Sequence, residues 1–234
     1  MPAAAAEAQG LWKFFGDYAA LRDISLTIEP GSSVALIGRN GAGKTTLLRM
    51  FAGLSRAGKG HVFVAGLDPR EPSARQTLGW IGHAISLYED LSARENLRLF
   101  AELYGVPAPD VVADQWIERV GMQHAAGGLV REFSRGMRQR IALARAFLHR
   151  PKLLLLDEPF TSLDDRAIAL LQSLLGEARA EGRTVILSTH QLREALELST
   201  DVALLARGRL LFRGPRTQQM ADDPGWLYTQ YADA

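Results

Sequence analysis

The sequence predicts an α/β fold organised around a mostly parallel sheet, and three observations predict it. Short apolar runs at 34–37, 62–64, 153–156 and 184–187 read as strands and alternate with stretches of helical periodicity, the order that builds strand–helix–strand units. Two of these runs, Val-Ala-Leu-Ile at 34–37 and Leu-Leu-Leu-Leu at 153–156, are apolar on both faces, as strands covered on both sides must be. A helix-rich interval, about 91–150, then separates two strand-bearing parts.

The elements follow in chain order. Residues 1–10 are alanine-rich, with neither a basic region nor an apolar segment long enough for a signal peptide, so a frayed terminus running into a strand is expected. Helical spacing occupies the stretch after Lys44 and then 92–104, 113–120, 137–149, 166–180 and 192–198. Proline and glycine clusters at 29–31, 105–109 and 127–128 mark turns. With no internal repeat and no low-complexity linker beyond the start, residues 1–234 are expected to form one unit, the helical interval being an inserted subdomain.

Composition narrows the partners. The 234 residues are 47% hydrophobic and 23% charged, an ordinary globular balance. Lys plus Arg number 27 against 26 Asp plus Glu, a formal charge of +1, so no global field would gather nucleic acid or anionic lipid. There is no cysteine, which removes disulfides and thiolate metal sites and suits a reducing cytosol. Nothing approaches the roughly 18 consecutive apolar residues that cross a bilayer, so a membrane role would be peripheral.

The most specific motif is Gly38-Arg39-Asn40-Gly41-Ala42-Gly43-Lys44-Thr45. It fits the phosphate-loop pattern Gly-x-x-x-x-Gly-Lys-Thr, follows a predicted strand and opens a predicted helix, with Thr46 next. Glycines let backbone N–H groups wrap a β-phosphate and the helix start adds partial positive charge. Lys44 can bridge β- and γ-phosphates, and Thr45 carries a hydroxyl suited to Mg²⁺. GTPases would need an Asn-Lys-x-Asp element, which the chain lacks.

A second constellation is Asp157-Glu158-Pro159, ending the leucine strand. Acids at the carboxyl end of a parallel strand face the crevice where ligands bind. Asp157 can hold Mg²⁺, and Glu158 is placed to orient and deprotonate an attacking water. A third is Phe133-Ser134-Arg135-Gly136-Met137-Arg138-Gln139-Arg140, before a helix whose apolar stripe is Met137, Ile141, Ala144 and Leu148. Ser134 reads as the N-cap, either of a second phosphate-binding helix start or of a merely packed helix.

In order, the phosphate loop, Phe133 to Gln139, Asp157-Glu158, Ser162-Leu163-Asp164 and Ser188-Thr189-His190 resemble the nucleotide-binding cassette of ABC transporters. The resemblance covers nearly the whole chain, about residues 6–215. It implies a P-loop NTPase core of RecA type with an antiparallel β part and an inserted helical subdomain, ATP and Mg²⁺ as ligands, and a head-to-tail dimer. In such a pair ATP on one phosphate loop is closed by the signature of the other copy, here Ser134, Arg135, Gly136 and Met137. Phe15 matches the adenine-stacking aromatic, usually Tyr, and a core aromatic is the alternative. Asp164 matches the dimer-contact aspartate, and His190 the switch histidine that touches the γ-phosphate.

This chain departs from the family's pattern at three places. His83 stands where the sensor strand usually ends in Gln, a softer and titratable ligand. Arg135 replaces the first of two signature glycines, and Met137 the usual Gln. The combination of Gly82-His83, the run 91–97 and Phe133-Ser134-Arg135-Gly136-Met137 is similar to heme exporter ATP-binding subunits of the cytochrome c maturation system, with drug, lipid or polysaccharide exporters as alternatives. Integral membrane permease subunits at the cytoplasmic face are then expected partners, docking near 83–90 with Ile85, Leu87 and Tyr88 as exposed apolar contacts. A nucleotide-gated module without turnover stays open, opposed by the intact Glu158 and His190. A DNA-repair ATPase would need a coiled-coil insertion, and a translation-type factor two cassettes.

Overall fold

The computed structural model describes residues 3–82, 85–160 and 163–231. Three strands, β1 (Ala6–Phe15), β2 (Tyr18–Ile28) and β4 (Lys59–Val64), form an antiparallel sheet in the order β2-β1-β4. Six more form the second sheet in the order β5-β6-β7-β3-β8-β9, from β3 (Ser33–Ile37), β5 (Leu78–Ile81), β6 (Leu153–Asp157), β7 (Thr184–Ser188), β8 (Asp201–Ala206) and β9 (Arg209–Pro215). That sheet is parallel except at its edge, where β9 runs antiparallel to β8.

The doubly apolar runs occupy its middle. Along β3, Val34 and Leu36 enter one core while Ala35 and Ile37 enter another. Along β6, Leu153 and Leu155 take the first face, Leu154 and Leu156 the second. The two-residue period of a strand therefore splits one hydrophobic run between two cores. The first core is shared with the antiparallel sheet and α1 (Lys44–Phe51). The second is shared with α6 (Asp165–Ala180) and α7 (Leu192–Leu198), and it receives Leu227 of the last helix. Each fully buried leucine of this kind contributes about 2 kcal/mol relative to exposure.

Between β5 and β6 the chain forms α3 (Ala93–Leu103), α4 (Pro109–Arg119), two 3₁₀ turns and α5 (Arg135–Phe147), around a third core. Its entry is fixed by polar chemistry. Ser92 caps α3, accepting from Glu95 N, while the Glu95 carboxylate accepts from Ser92 N at 2.8 Å. Buried Asn96 accepts from Tyr88 N at 2.8 Å and donates to the carbonyls of Tyr88 and Ser92 at 2.9 and 3.0 Å. One amide thus replaces the backbone partners that a loop cannot supply to itself. The short helices are α2 (Pro72–Arg75), α8 (Gln218–Asp222) and α9 (Trp226–Gln230).

The structure adds strands β2, β8 and β9 and the short helices α2, α8 and α9 to the sequence pattern, and it differs from that pattern at two predicted elements. The run 62–64 belongs to β4 of the antiparallel sheet, not to the parallel set. Helix α4 begins at Pro109, where the periodicity starts it at 113; proline at a first helical position loses only an N–H that would be unpaired anyway.

His149 ties the helical part to the parallel sheet. Its ring stacks on Tyr104 with centroids 3.7 Å apart, and Nε2 lies 2.9 Å from Leu78 O. Burial lowers its pKa from 6.5 to about 4, over the opposing effect of the Leu78 carbonyl. The neutral ring is the form the fold favours, so its contribution is complete above pH 6.5 and fades as pH falls towards 4. His149→Gln should flatten the acid side of the stability profile. Urea unfolding at about pH 7 and about pH 4.5 is expected to show the wild type losing about 2 kcal/mol more than the variant, after allowance for partial exposure; parallel profiles would refute the linkage.

Candidate active site

The chain leaves β3 and turns sharply into α1 through residues 38–43, and the turn is closed from behind by other elements. A β-carbon at Gly38 would lie 2.4 Å from Leu205 O of β8, and one at Gly43 2.7 Å from a Leu21 methyl and 2.8 Å from Ala20 O of β2. Gly43 also holds φ at 107°, a left-handed conformation that disfavours side chains. The backbone of 38–43 is thus pressed against β2 and β8, with its open side towards the crevice. Gly43 is the N-cap of α1 without any side-chain cap, and the first turn carries no acid. The first N–H groups of α1 are left without a side-chain acceptor, the arrangement that receives phosphate.

Lys44 is buried and donates from Nζ to Gly38 O at 2.7 Å. Burial lowers its pKa, while Glu158 and Asp157 act in the opposite direction. A cation kept in a partly dry site beside two acids interacts strongly with added negative charge.

Asp157 joins three elements. Its Oδ1 accepts from Thr45 Oγ1 of α1 at 3.0 Å and from Ser188 Oγ of β7 at 2.5 Å. The neighbouring register Asp157↔Ser188 brings the last pair within reach. Oδ2 is buried with no hydrogen-bond partner among the described residues. A buried carboxylate oxygen left open is costly unless a cation or donor meets it. With the Thr45 hydroxyl it makes a pair of hard oxygen donors that fits Mg²⁺, an ion that takes one or two protein ligands and completes its shell with phosphates and water. Among the described residues there is no cluster of three or more His, Cys, Asp or Glu, so a metal cage built from protein alone is not formed there.

Glu158 follows with φ at 52°, in the left-handed region, and its N–H donates to Ser188 O at 2.9 Å. Such a conformation in a non-glycine residue costs energy, here at the strand end nearest the crevice. Its Oε2 accepts from His190 N at 3.3 Å and lies 2.8 Å from His190 Nδ1. Glu158 is 17% exposed and His190 62%, so the histidine stands outward beyond the carboxylate.

Of these side chains Lys44, Thr45 and Glu158 line a crevice of about 350 Å³, together with Phe15, Tyr18, Ala20, residues 40–43 and Thr46. Phe15 is 57% exposed, with Lys13 Nζ 5.2 Å from its ring centroid. The alternative of a core aromatic is therefore excluded for Phe15, which offers an open face.

The signature residues lie elsewhere. Ser134 caps α5, accepting from Met137 N at 3.2 Å. Ser134 and Arg135 are exposed, Gly136 and Met137 half-buried, and none of the four lines the chain's own crevice. Asp164 caps α6, accepting from Ala167 N at 2.8 Å, and pairs with Arg140 at 2.9 Å. The Ala167 N–H, foremost, holds its carboxyl below the usual range.

His83 and Ser162 lie outside the described residues. Of the three apolar residues expected at the surface, Tyr88 is 53% exposed, but Ile85 and Leu87 are half-buried, Leu87 against the helical core. Two residues had no legible role in the sequence. Ser188 earns its contact with Asp157 through strand pairing alone. Arg145 of α5 donates to Ser86 O at 2.6 Å and Trp80 O at 2.8 Å, on either side of position 83, and covers the Phe100 ring; a lone arginine on a helix gives no sign of such a target.

Comparison with known families decides the lineage: residues 21–161 match the family model described as ABC transporter. The chain belongs to the ABC transporter family. This cassette is 38% identical over 200 residues to the ABC transporter ATP-binding protein NatA of Bacillus subtilis, covering 83% of this chain and 81% of that one. It is 34% identical over 206 residues to the Nod factor export ATP-binding protein I of Cupriavidus metallidurans, covering 86% and 68%. Among solved structures, one described as the ATP binding subunit of an ABC transporter superposes with a TM-score of 0.84 at 28% identity, over 97% of this chain and 93% of that one. The cassette is an ATP-binding ATPase subunit, and its α/β fold with an antiparallel sheet and helical part is the ABC cassette fold.

Gly43→Ala tests the pressed backbone. The methyl meets Ala20 O and Leu21 and must displace the loop, so ADP affinity measured by calorimetry should fall at least about tenfold. Unchanged affinity would mean the loop is not held from behind.

Proposed function

We propose that the cassette is the ATP-hydrolysing motor of an export complex, working as a head-to-tail dimer docked on integral membrane permease subunits at the cytoplasmic face. The observation that carries the hydrolytic part is the coupling of two acids at one strand end, Asp157 with an open oxygen and Glu158 held by His190.

ATP binds with its adenine on Phe15 and its phosphates on residues 38–46, where Lys44 meets the β- and γ-phosphates. Thr45 and Asp157 would hold Mg²⁺, which would supply neutralisation of the charge that develops on the phosphates. Glu158 accepts a proton from the attacking water, whose oxygen bonds to the γ-phosphorus as the bond to the β–γ bridging oxygen breaks, releasing ADP and phosphate. His190 orients Glu158 and reaches the γ-phosphate; His83 serves as the sensor beside the water. Ser134, Arg135, Gly136 and Met137 of each copy close the nucleotide of the other, with Asp164 at the contact. The exposed, capped start of α5, turned away from the chain's own crevice, supports such an arrangement in trans. One cassette, with residues 91–150 as its inserted helical part, makes each half.

The cargo reading is heme export for c-type cytochrome assembly, supported by the sequence pattern of Gly82-His83, the run 91–97 and Phe133 to Met137. A relative named for Nod factor export favours a second reading, another ABC exporter, because a cassette carries no cargo pocket of its own.

Glu158→Gln should lower phosphate release by about a hundredfold or more and accumulate an ATP-dependent dimer on a sizing column. A variant that stays monomeric at saturating ATP with Mg²⁺ rules out the clamp, and one that still hydrolyses removes Glu158 from the chemistry. For the cargo, deletion of the gene is expected to abolish c-type cytochromes on haem-stained gels; normal levels would reject heme export and leave the ATPase untouched.

A further inference from the structure

A second cavity, of about 470 Å³, lies on the other flank of the phosphate loop, between residues 39–42, the end of β8 with the turn after it, and α9. Its volume is in the range of small-molecule sites, roughly 300–1,000 Å³. Three arginines, Arg22, Arg39 and Arg207, and three tyrosines, Tyr18, Tyr228 and Tyr231, contribute to its lining, and no Asp or Glu does. In a chain with 27 basic and 26 acidic residues, a hollow lined by three arginines and no acid is a marked local imbalance. None of the three has an ion-pair partner among the described residues. Arginine without an ion-pair partner beside a hollow can hold an anion through bidentate hydrogen bonds.

Arg207 shows the imbalance most plainly. It sits at φ 48° ahead of Gly208 at φ 79°, in the two-residue turn joining β8 to β9. Both turn positions are left-handed, where Asn-Gly is the favoured pair and a long side chain is strained. Stability alone would place Asn there. Tyr228 and Tyr231 approach from α9 and its end, Tyr231 also packing against Phe212 at 6.0 Å. Burial pushes the Tyr228 phenol up from its ordinary value, with the Gly38 backbone and Arg39 acting against it and Glu158 in the same direction.

We propose that this cavity binds a small aromatic anion, a flat ring stacked among Tyr18, Tyr228 and Tyr231 with a phosphate, sulfate or carboxylate held by Arg22 and Arg207. The cavity adjoins the nucleotide crevice and shares Tyr18 and residues 40–42 with it, but its lining lacks Lys44, Thr45 and Phe15, and it is independent of the cargo reading. Rings on tyrosine faces and bidentate guanidinium contacts are complementary recognition elements, one for the planar part and one for the charge.

The test uses phenyl phosphate as probe and the full chain without nucleotide, with binding followed by saturation-transfer NMR. Saturable binding below about 10 mM is expected, unchanged in Lys44→Ala and weakened about tenfold in Arg207→Asn and in Arg22→Gln. Arg207→Asn suits the turn better than arginine, and unchanged ADP affinity in that variant shows that the phosphate loop is intact. Methyl phosphate should bind about tenfold more weakly than phenyl phosphate. Loss of binding in Lys44→Ala with retention in Arg207→Asn would assign the probe to the nucleotide crevice and overturn the proposal. Equal binding of methyl and phenyl phosphate would remove the aromatic part, and no saturation would remove the site.

Discussion

The buried carboxylate of Asp157 is the constraint on which the site depends. It stands at the end of β6 and accepts from α1 through Thr45 and from β7 through Ser188. A charge is tolerated at such a place only when hydrogen bonds and a counter-charge offset its lost hydration. Two hydroxyls act on one oxygen, the second oxygen is buried without a hydrogen-bond partner among the described residues, and Lys44 lies close enough for both acids to bear on its titration. The same few contacts that hold helix, strand and strand in register therefore also prepare the place proposed to receive a triphosphate and its metal.

Around that point the backbone is gripped rather than merely turned. The loop before α1 is pressed by Ala20 and Leu21 of one sheet and Leu205 of the other, while Gly208 N donates to Ala42 O at 3.1 Å and Arg22 N to Gly208 O at 2.7 Å. The antiparallel sheet, the parallel sheet and the β8–β9 turn meet there. Rigid support of this kind reduces the reorganisation needed when a charged ligand arrives.

The helical part is connected to the sheet by stacking and by carbonyl capture. His149 lies flat on Tyr104 while reaching Leu78 O, and Arg145 holds the carbonyls of Trp80 and Ser86. Arg145 sits on α5, the helix that Ser134 caps, so the signature end and the segment on either side of position 83 share one rigid element. Burial lowers the Arg145 pKa, which is the energetic mark of a guanidinium spent on backbone oxygens instead of water.

The sequence by itself determined the class of fold and most of the site, because both rest on local rules. Continuous apolar runs announced β3 and β6, serine before a helical stripe announced the α5 cap, and the phosphate loop and the acid pair Asp157-Glu158 are short contiguous patterns. Register shifts break the alternation along β1 beyond residue 8 and in the edge strand β9, whereas Ile24-Ser25-Leu26-Thr27-Ile28 of β2 alternates as a half-buried strand does and was present in the sequence as a signal. Only the tertiary structure decided that 62–64 joins the antiparallel sheet, that Leu87 is packed inward, and that Ser188, Arg145 and the three cavity arginines have their places. Those contacts join residues far apart in the chain through strand order and helix docking, and their geometry comes from pairing and packing, for which no contiguous pattern exists to be read.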